Sequence, residues 1–377
     1  MIIAGVARCT IFAFPRCWMP TALQHLPPCS KRGTELQLLN TLYVTQPESH
    51  IHLDNSTVRL EVAHETRLRV PLHHLGAVVC FGQVSVSLPL MHRLAEDGVA
   101  LVLLDANGRF KARLEGAVSG NVLLRQAQYR LAGDSSFAMG VARNCIAGKV
   151  RNCRQVLLRG ARESKAEDDA AVLARGANDL AAALRALPAA DDFDTLRGIE
   201  GEAARQYFAA LNFLIRPAAR RDFRMDGRTR RPPRDRLNAL LSFLYSLLMN
   251  DCRSAIEAAG LDPQIGFLHA VRPGRAALAL DLMEEFRSFA DRLALSLINR
   301  GQIGADGFVE REGGSVLLEG DARKAVLVAY QERKQEALTH PLLAETVPFG
   351  LLPHVQARLL ARVLRGDTDQ YLPFGIR

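Results

Sequence analysis

From Leu38 to about Val118 apolar and polar positions alternate in short runs. LLNTLYVTQ, HIHLDNSTVRLEV and LRVPLHHLGAVVCFG are rich in β-formers and are broken by turn residues such as Asp54 and Asn55. A period of two over stretches of this length predicts strands. SLPLMHRLAEDG interrupts them with one short helix, and VALVLLDANGRFKARLEG reads as a buried strand, a turn at DANGR and a second strand. Beyond Gly120 the period lengthens to that of helices, in SGNVLLRQAQYRLA, SFAMGVARNCIAGKVRNCRQVLLRGARE and DAAVLARGANDLAAALRAL. LNALLSFLYSLLMNDCRSAIEAAG is apolar nearly all round and predicts a core helix. A short hairpin, FVEREGGSVLLEG, and two closing helices, DARKAVLVAYQERKQEALTH and LPHVQARLLARVLRG, complete the chain. The fold class is α+β, with a small β-rich N-terminal domain over residues 36–118 and a larger all-α C-terminal domain over residues 119–377. Residues 1–35 match neither pattern: they hold four prolines, three of the seven cysteines and the only tryptophan. They read as a poorly ordered extension, as if a start codon were assigned too far upstream, and a chain beginning near Glu35 is expected to express and act unchanged.

The stretch GFLHAVRPGRAALALDLMEEFR, residues 266–287, carries the candidate chemistry. His269 closes an apolar run, and Pro273 and Gly274 turn the chain. From Leu278 the positions Leu282, Phe286, Phe289, Leu293 and Leu297 recur at helical steps and predict one helix, with Asp281, Glu284 and Glu285 beside its apolar stripe. Residues three apart on a helix are neighbours, so Asp281 and Glu284 can face one point, and a loop returning His269 to that point makes part of a metal site. One more carboxylate is needed, and Glu200 offers it, placed between Gly198 and Gly201 at the expected entry to a helix. There a carboxylate is either a partner of the helix dipole or, with glycines beside it, an open ligand. His73 and His74, adjacent in an expected strand, point to opposite faces and read as structural or exposed.

The charge balance adds a partner. Lys+Arg number 48 against 40 Asp+Glu, a formal net charge of +8, which favours a polyanion. Nine arginines and three aspartates lie in RPAARRDFRMDGRTRRPPRDR, residues 216–236, for a net +6. Pro232, Pro233 and Gly227 mark that run as a loop rather than a helix, suited to phosphates more than base edges. Arg323, Lys324, Arg333 and Lys334 form a second basic patch, whereas Arg143, Lys149, Arg151 and their neighbours read as the solvated face of a helix. The seven cysteines are scattered and never arranged as C-x-x-C, which suits a reducing cytoplasm rather than a disulfide framework or a zinc ribbon. No apolar run approaches the roughly 18 residues of a membrane span.

The runs LLNTLYVTQ, VSGNVLLRQAQYR, GIEGEAARQYF, RPPRDRLNALLSFLY, IGFLHAVRPGR with DLMEEFR, and YQERKQE resemble, in order and spacing, the CRISPR-associated integrase family, the "Cas one" endonucleases, and most of all its subtype I-C branch. The resemblance covers the chain from about Glu35 to its end. It implies a metal site formed by Glu200, His269 and Glu284, supported by Asp281, with Glu284 standing where some relatives carry aspartate. The implied ion is Mg²⁺ or Mn²⁺, the imidazole shifting preference towards Mn²⁺. The implied reaction is insertion of short DNA fragments into a CRISPR repeat by 3′-hydroxyl transesterification, with hydrolysis when water attacks instead. Implied partners are double-stranded DNA, a second copy in a homodimer and a small second CRISPR-associated protein. Arg224, Arg228, Arg230, Arg231, Arg234, Lys324 and Lys334 are the expected DNA contacts. Tyr245 matches an aromatic that touches DNA in relatives, with packing in the core as its alternative. Two other readings compete: a structure-specific nuclease of DNA repair using the same site, and a basic DNA-binding scaffold, which requires Glu200, His269 and Glu284 to lie far apart.

Overall fold

A computed structural model describes residues 7–9, 36–38, 40–105, 110–114, 116, 122–343 and 345–376, and the structural statements below refer to these residues. Most of the N-terminal extension and of the DANGR turn lies outside them. From the extension, β1 (Ala7–Cys9) pairs antiparallel with β2 (Leu36–Leu38), which lies just past it.

The alternating segments form two four-stranded sheets. One runs β10 (Phe110–Leu114), β9 (Ala100–Leu104), β7 (Leu75–Phe81), β3 (Asn40–Val44), parallel except for β10. The other runs β6 (Glu65–Pro71), β5 (Thr57–Val62), β4 (Ser49–Asp54), β8 (Val84–Val86). Two-residue turns join β4 to β5 and β5 to β6, and Ala63 and His64 in the second take φ of 50° and 63°, the left-handed geometry that matches hairpin twist. The period of two divides the first sheet between two cores. Leu42, Val44, Val78, Cys80 and Leu101 pack with Ile51, Val58 and α1 (Leu88–Glu96). Their sequence neighbours Tyr43, Val79, Phe81 and Val102 point the other way, into the core of the helical part. His73 and His74 lie in a 3-10 turn, not a strand, with ring centroids 4.1 Å apart, so they are neighbours rather than residues on opposite faces.

The helical part comprises α2 (Val122–Gly133), α3 (Ser135–Glu163), α4 (Glu167–Ala186), α5 (Phe193–Leu211), α6 (Pro217–Phe223), α7 (Arg236–Ala258), α8 (Ala277–Glu284), α9 (Arg287–Asn299), α10 (Gly320–Gln335) and α11 (Leu352–Arg365). The expected hairpin is present as β11 (Phe308–Arg311) and β12 (Ser315–Leu318), and β13 (Ala337–Thr339) pairs with β14 (Thr346–Pro348). Aspartates start three of the helices: Asp134, Asp192 and Asp235 each accept a hydrogen bond from a first-turn amide. α7 runs through the middle, with Leu237, Leu240, Leu241, Leu244 and Leu248 buried.

Three further expectations need correction. Glu200 is not at a helix entry: Asp192 caps α5, and Glu200 sits about two turns inside it. Part of the arginine run is helical, because Pro217 suits the first turn of α6 and the alanines beside it carry the helix on. The single helix expected from Leu278 breaks at Glu285 and Phe286. Asn152 Nδ2 donates to the Glu285 carbonyl at 2.8 Å, and the Phe289 amide donates instead to Phe286, at 3.0 Å. The segment 371–376 lies over this break: Glu285, fully buried, accepts from the Phe374 amide at 2.7 Å, and Asn152 accepts from the Ile376 amide at 2.8 Å.

Candidate functional site

Asp281, on α8, builds the loop that presents His269. Its Oδ2 accepts from the Phe267 and Leu268 amides at 2.6 and 3.0 Å, and its Oδ1 from the His269 amide at 3.0 Å and from His269 Nδ1 at 2.7 Å. Both oxygens of this buried carboxylate act as acceptors. Nδ1 of the imidazole therefore carries a proton, and Nε2 is the ring nitrogen turned towards Glu284. Gly266 makes this closure possible, since a Cβ there would stand 2.6 Å from Asp281 Oδ2 and 2.8 Å from the Ala277 carbonyl carbon.

One turn further along α8, Glu284 is buried. Its Oε1 lies 2.7 Å from Arg287 Nη2 and 4.0 Å from His269 Nε2. Its Oε2 lies 2.7 Å from Lys149 Nζ, without the alignment of a hydrogen bond. Burial alone would push this carboxyl up, but Arg287, Lys149 and His269 outweigh it and hold the pKa at about 2. Glu200 reaches across from α5 and pairs with the same ammonium. Gly198 and Gly201 beside it face open space, where an added Cβ would meet nothing within 4 Å. Lys149 itself, on α3, is only 7% exposed. Burial would lower its pKa, yet the two glutamates overcome both burial and Arg287 and raise it.

The structure thus brings His269, Asp281 and Glu284 together and joins Glu200 to them through Lys149. Among the described residues no three His, Cys, Asp or Glu side chains close around one point as a metal-holding group. The chemistry of the donors nonetheless fits a divalent ion: two carboxylates, one of them already aimed at a cation by a poorly aligned oxygen, and an imidazole whose free nitrogen is oriented by a carboxylate on its other side. Both oxygens of Asp281 are taken up by the loop amides and by His269 Nδ1. Glu200 and Glu284 meet at the Lys149 ammonium, and His269 Nε2 lies 4.0 Å from Glu284.

Lys149 and Arg287 are the residues that reading the sequence misses. By type Lys149 belongs to a solvated helix face, but Cys145 and Cys153, four residues to either side, and Asn152 and Val156 are all buried with it. A lone lysine inside an apolar stripe was the available signal. Behind the site, Arg287 and Arg228 lie over the Tyr245 ring at 5.0 and 5.4 Å. Tyr245 and Tyr207 donate to Asp291 at 2.5 and 2.9 Å, and burial pushes the Asp291 carboxyl up to about 6.

The expected DNA contacts divide. Arg224, Arg230, Arg231, Arg234 and Lys324 are exposed. Tyr245 is buried with its hydroxyl turned inward, Lys334 is buried 3.1 Å from Asp251, and Arg228 donates to Asn238 and Ser242.

Comparison with known proteins bears on these observations. The family model described as CRISPR associated protein Cas1 matches residues 42–332. A protein of Moorella thermoacetica named CRISPR-associated endonuclease Cas1 1 is 57% identical over 90% of this chain and 99% of its own. A chain of a solved Cas6-RT-Cas1–Cas2 complex aligns with a TM-score of 0.75 and 25% identity, over 89% of this chain and 36% of that one. The Cas1 protein from Thermotoga maritima shares the fold, with a TM-score of 0.74 and 23% identity over 89% of this chain and 99% of its own.

Proposed function

The chain belongs to the CRISPR-associated Cas1 family, and from that premise we propose that it is a metal-dependent DNA endonuclease and integrase of CRISPR adaptation. The observation that carries the proposal is the convergence of Glu200 and Glu284 on one cation, beside a histidine whose Nε2 is kept free by Asp281. Glu200, His269 and Glu284 would hold Mg²⁺ or Mn²⁺. The ion, when bound, supplies Lewis-acid polarisation of a phosphodiester and stabilises charge on the leaving oxygen. Asp281 holds the imidazole in the tautomer that leaves Nε2 to ligate, and Arg287 keeps Glu284 ionised. In strand transfer the 3′ oxygen of a short DNA fragment bonds to a repeat phosphorus as the phosphorus–O3′ bond of the repeat breaks. The proton of the attacking hydroxyl is delivered through solvent to the oxygen released, so no covalent enzyme intermediate is needed.

We assign the chemistry to the helical part, residues 119–377, and the phosphate contacts to the exposed Arg224, Arg230, Arg231, Arg234 and Lys324. Arg228, Tyr245 and Lys334 act from beneath the surface. The assembly is a homodimer with a small Cas2-type partner, of the kind named in the related complex, and the subtype I-C branch is its place in the family. A cytoplasmic setting agrees with the free, buried Cys80, Cys145, Cys153 and Cys252. No helix among the described residues is long and apolar enough to cross a membrane. The test is transfer of a short duplex with free 3′-hydroxyl ends into a supercoiled plasmid carrying the repeat, with Mn²⁺ and the small partner. The parent should integrate, and Glu200→Ala should fall by at least about 10²-fold, the scale of losing a group that stabilises the transition state. Cleavage without integration would favour a repair nuclease, and equal activity of the two proteins would overturn the site.

A further inference from the structure

Lys149 stands where the proposed ion would be. Its ammonium is the cation on which Glu200 and Glu284 converge, and it is buried. With Arg287 on the other oxygen of Glu284, two positive groups already balance two carboxylates. A divalent ion cannot join this arrangement unchanged. It would add two positive charges at a buried point and repel the ammonium within reach of the same oxygens. Nor can the lysine retreat inward: the cavity next to it, lined by Cys153, Tyr207, Tyr245, Arg287 and Asp291 among others, holds about 10 Å³, room for one water at most. The open side is that of Glu200, which is half-buried beside glycines facing free space.

We propose that Lys149 is a built-in counter-cation, which occupies the carboxylate pair while no metal is bound and is expelled outward, towards the substrate side, when the metal enters. This rests on the metal-site reading given above. The device keeps the buried Glu284 and the half-buried Glu200 paired in the metal-free protein, where an uncompensated charge on the buried Glu284 would be strongly destabilising, and makes the metal compete with a tethered ammonium. Lys149 is on this account a positioning residue whose removal strengthens metal binding, the opposite of what losing a ligand or a purely structural ion pair would do.

Mn²⁺ binding to the purified full-length chain, followed by the loss of the free-ion electron paramagnetic resonance signal, tests it. Lys149→Met keeps the length of the side chain and removes the charge, and it should bind Mn²⁺ at least about tenfold more tightly than the parent, a difference of about 1.4 kcal/mol. Glu284→Gln should bind none. Lys149→Arg, which stays cationic and guards against loss of folding in the methionine variant, should bind no more tightly than the parent. Unchanged or weaker binding by Lys149→Met, with Glu284→Gln inactive in binding, sinks the exchange alone. Tighter binding by Lys149→Arg sinks it too. Absence of binding in every protein overturns the metal site and the exchange together.

Discussion

At the scale of single residues the site depends on closures with no room to spare. Gly266 is one: alanine there must displace either the Asp281 carboxylate or the backbone at Ala277, both held in place by neighbours. Forcing atoms into a packed interior costs about 1–3 kcal/mol. Gly266→Ala should therefore lower stability by about that amount in a denaturant titration, and should weaken Mn²⁺ binding because His269 loses its anchor. A variant with parental stability and binding would contradict the role given to this loop. His269, Asp281 and Glu284 were legible as a group, because spacing on a helix and a nearby turn suffice to place them. The separate duties of Asp281 and Glu284 were not, since both are acids on one helix and only the backbone amides that Asp281 gathers distinguish them. Lys149 is hidden by its type, as one more cation among arginines, and only the apolar positions four residues to either side set it apart.

At the scale of elements, α5, α7 and α9 are tied under the site by Tyr207, Tyr245 and Asp291. Burial raises the Asp291 carboxyl from 3.8 to about 6. The folded protein thus binds more protons than the unfolded chain between about pH 4 and pH 6, and this group makes stability fall as pH rises through that window. Glu284, lowered from 4.5 to about 2, acts in the opposite sense, and its stabilisation is complete above about pH 4.5 and lost as pH falls towards 2. Asp291→Asn should flatten the decline of melting temperature between pH 4 and 6, by up to about one proton in the linkage slope, and an unaltered slope would remove Asp291 from this role. The two periodicities made the sequence of strands and helices readable. The break between α8 and α9 was hidden, because the apolar stripe runs on through it and the cause lies far away in sequence, in Asn152 and the 371–376 segment. The start of α5 was misplaced because the glycines around Glu200 resemble a helix entry, while Asp192 was the residue that caps it.

At the scale of the molecule, the excess positive charge is spent unevenly. Much of it lies in residues 216–236, where Arg230, Arg231 and Arg234 are exposed on a loop. Arg220 is held by Asp169 and Arg228 by Asn238 and Ser242, so these two belong to the framework. Replacing Arg230, Arg231 and Arg234 together by alanine should weaken duplex binding whatever its sequence, and should reduce the slope of log affinity against log salt by about 0.9 for each phosphate that is no longer neutralised. Weakening confined to one DNA sequence, with the slope unchanged, would make them readers of bases instead. Composition carries only the expectation of a polyanionic partner, whereas the division between surface and framework arginines required the packing of α6 and α7.

The central claim is that Glu200, His269 and Glu284 hold one divalent ion in place of the Lys149 ammonium. A crystal of the protein grown with Mn²⁺ and measured at a wavelength where manganese scatters anomalously tests it most directly. The account predicts a single strong anomalous peak within bonding distance of Glu200, Glu284 and His269 Nε2, with Lys149 Nζ moved away towards solvent. A peak elsewhere, or none with Lys149 still between the two glutamates, would contradict it.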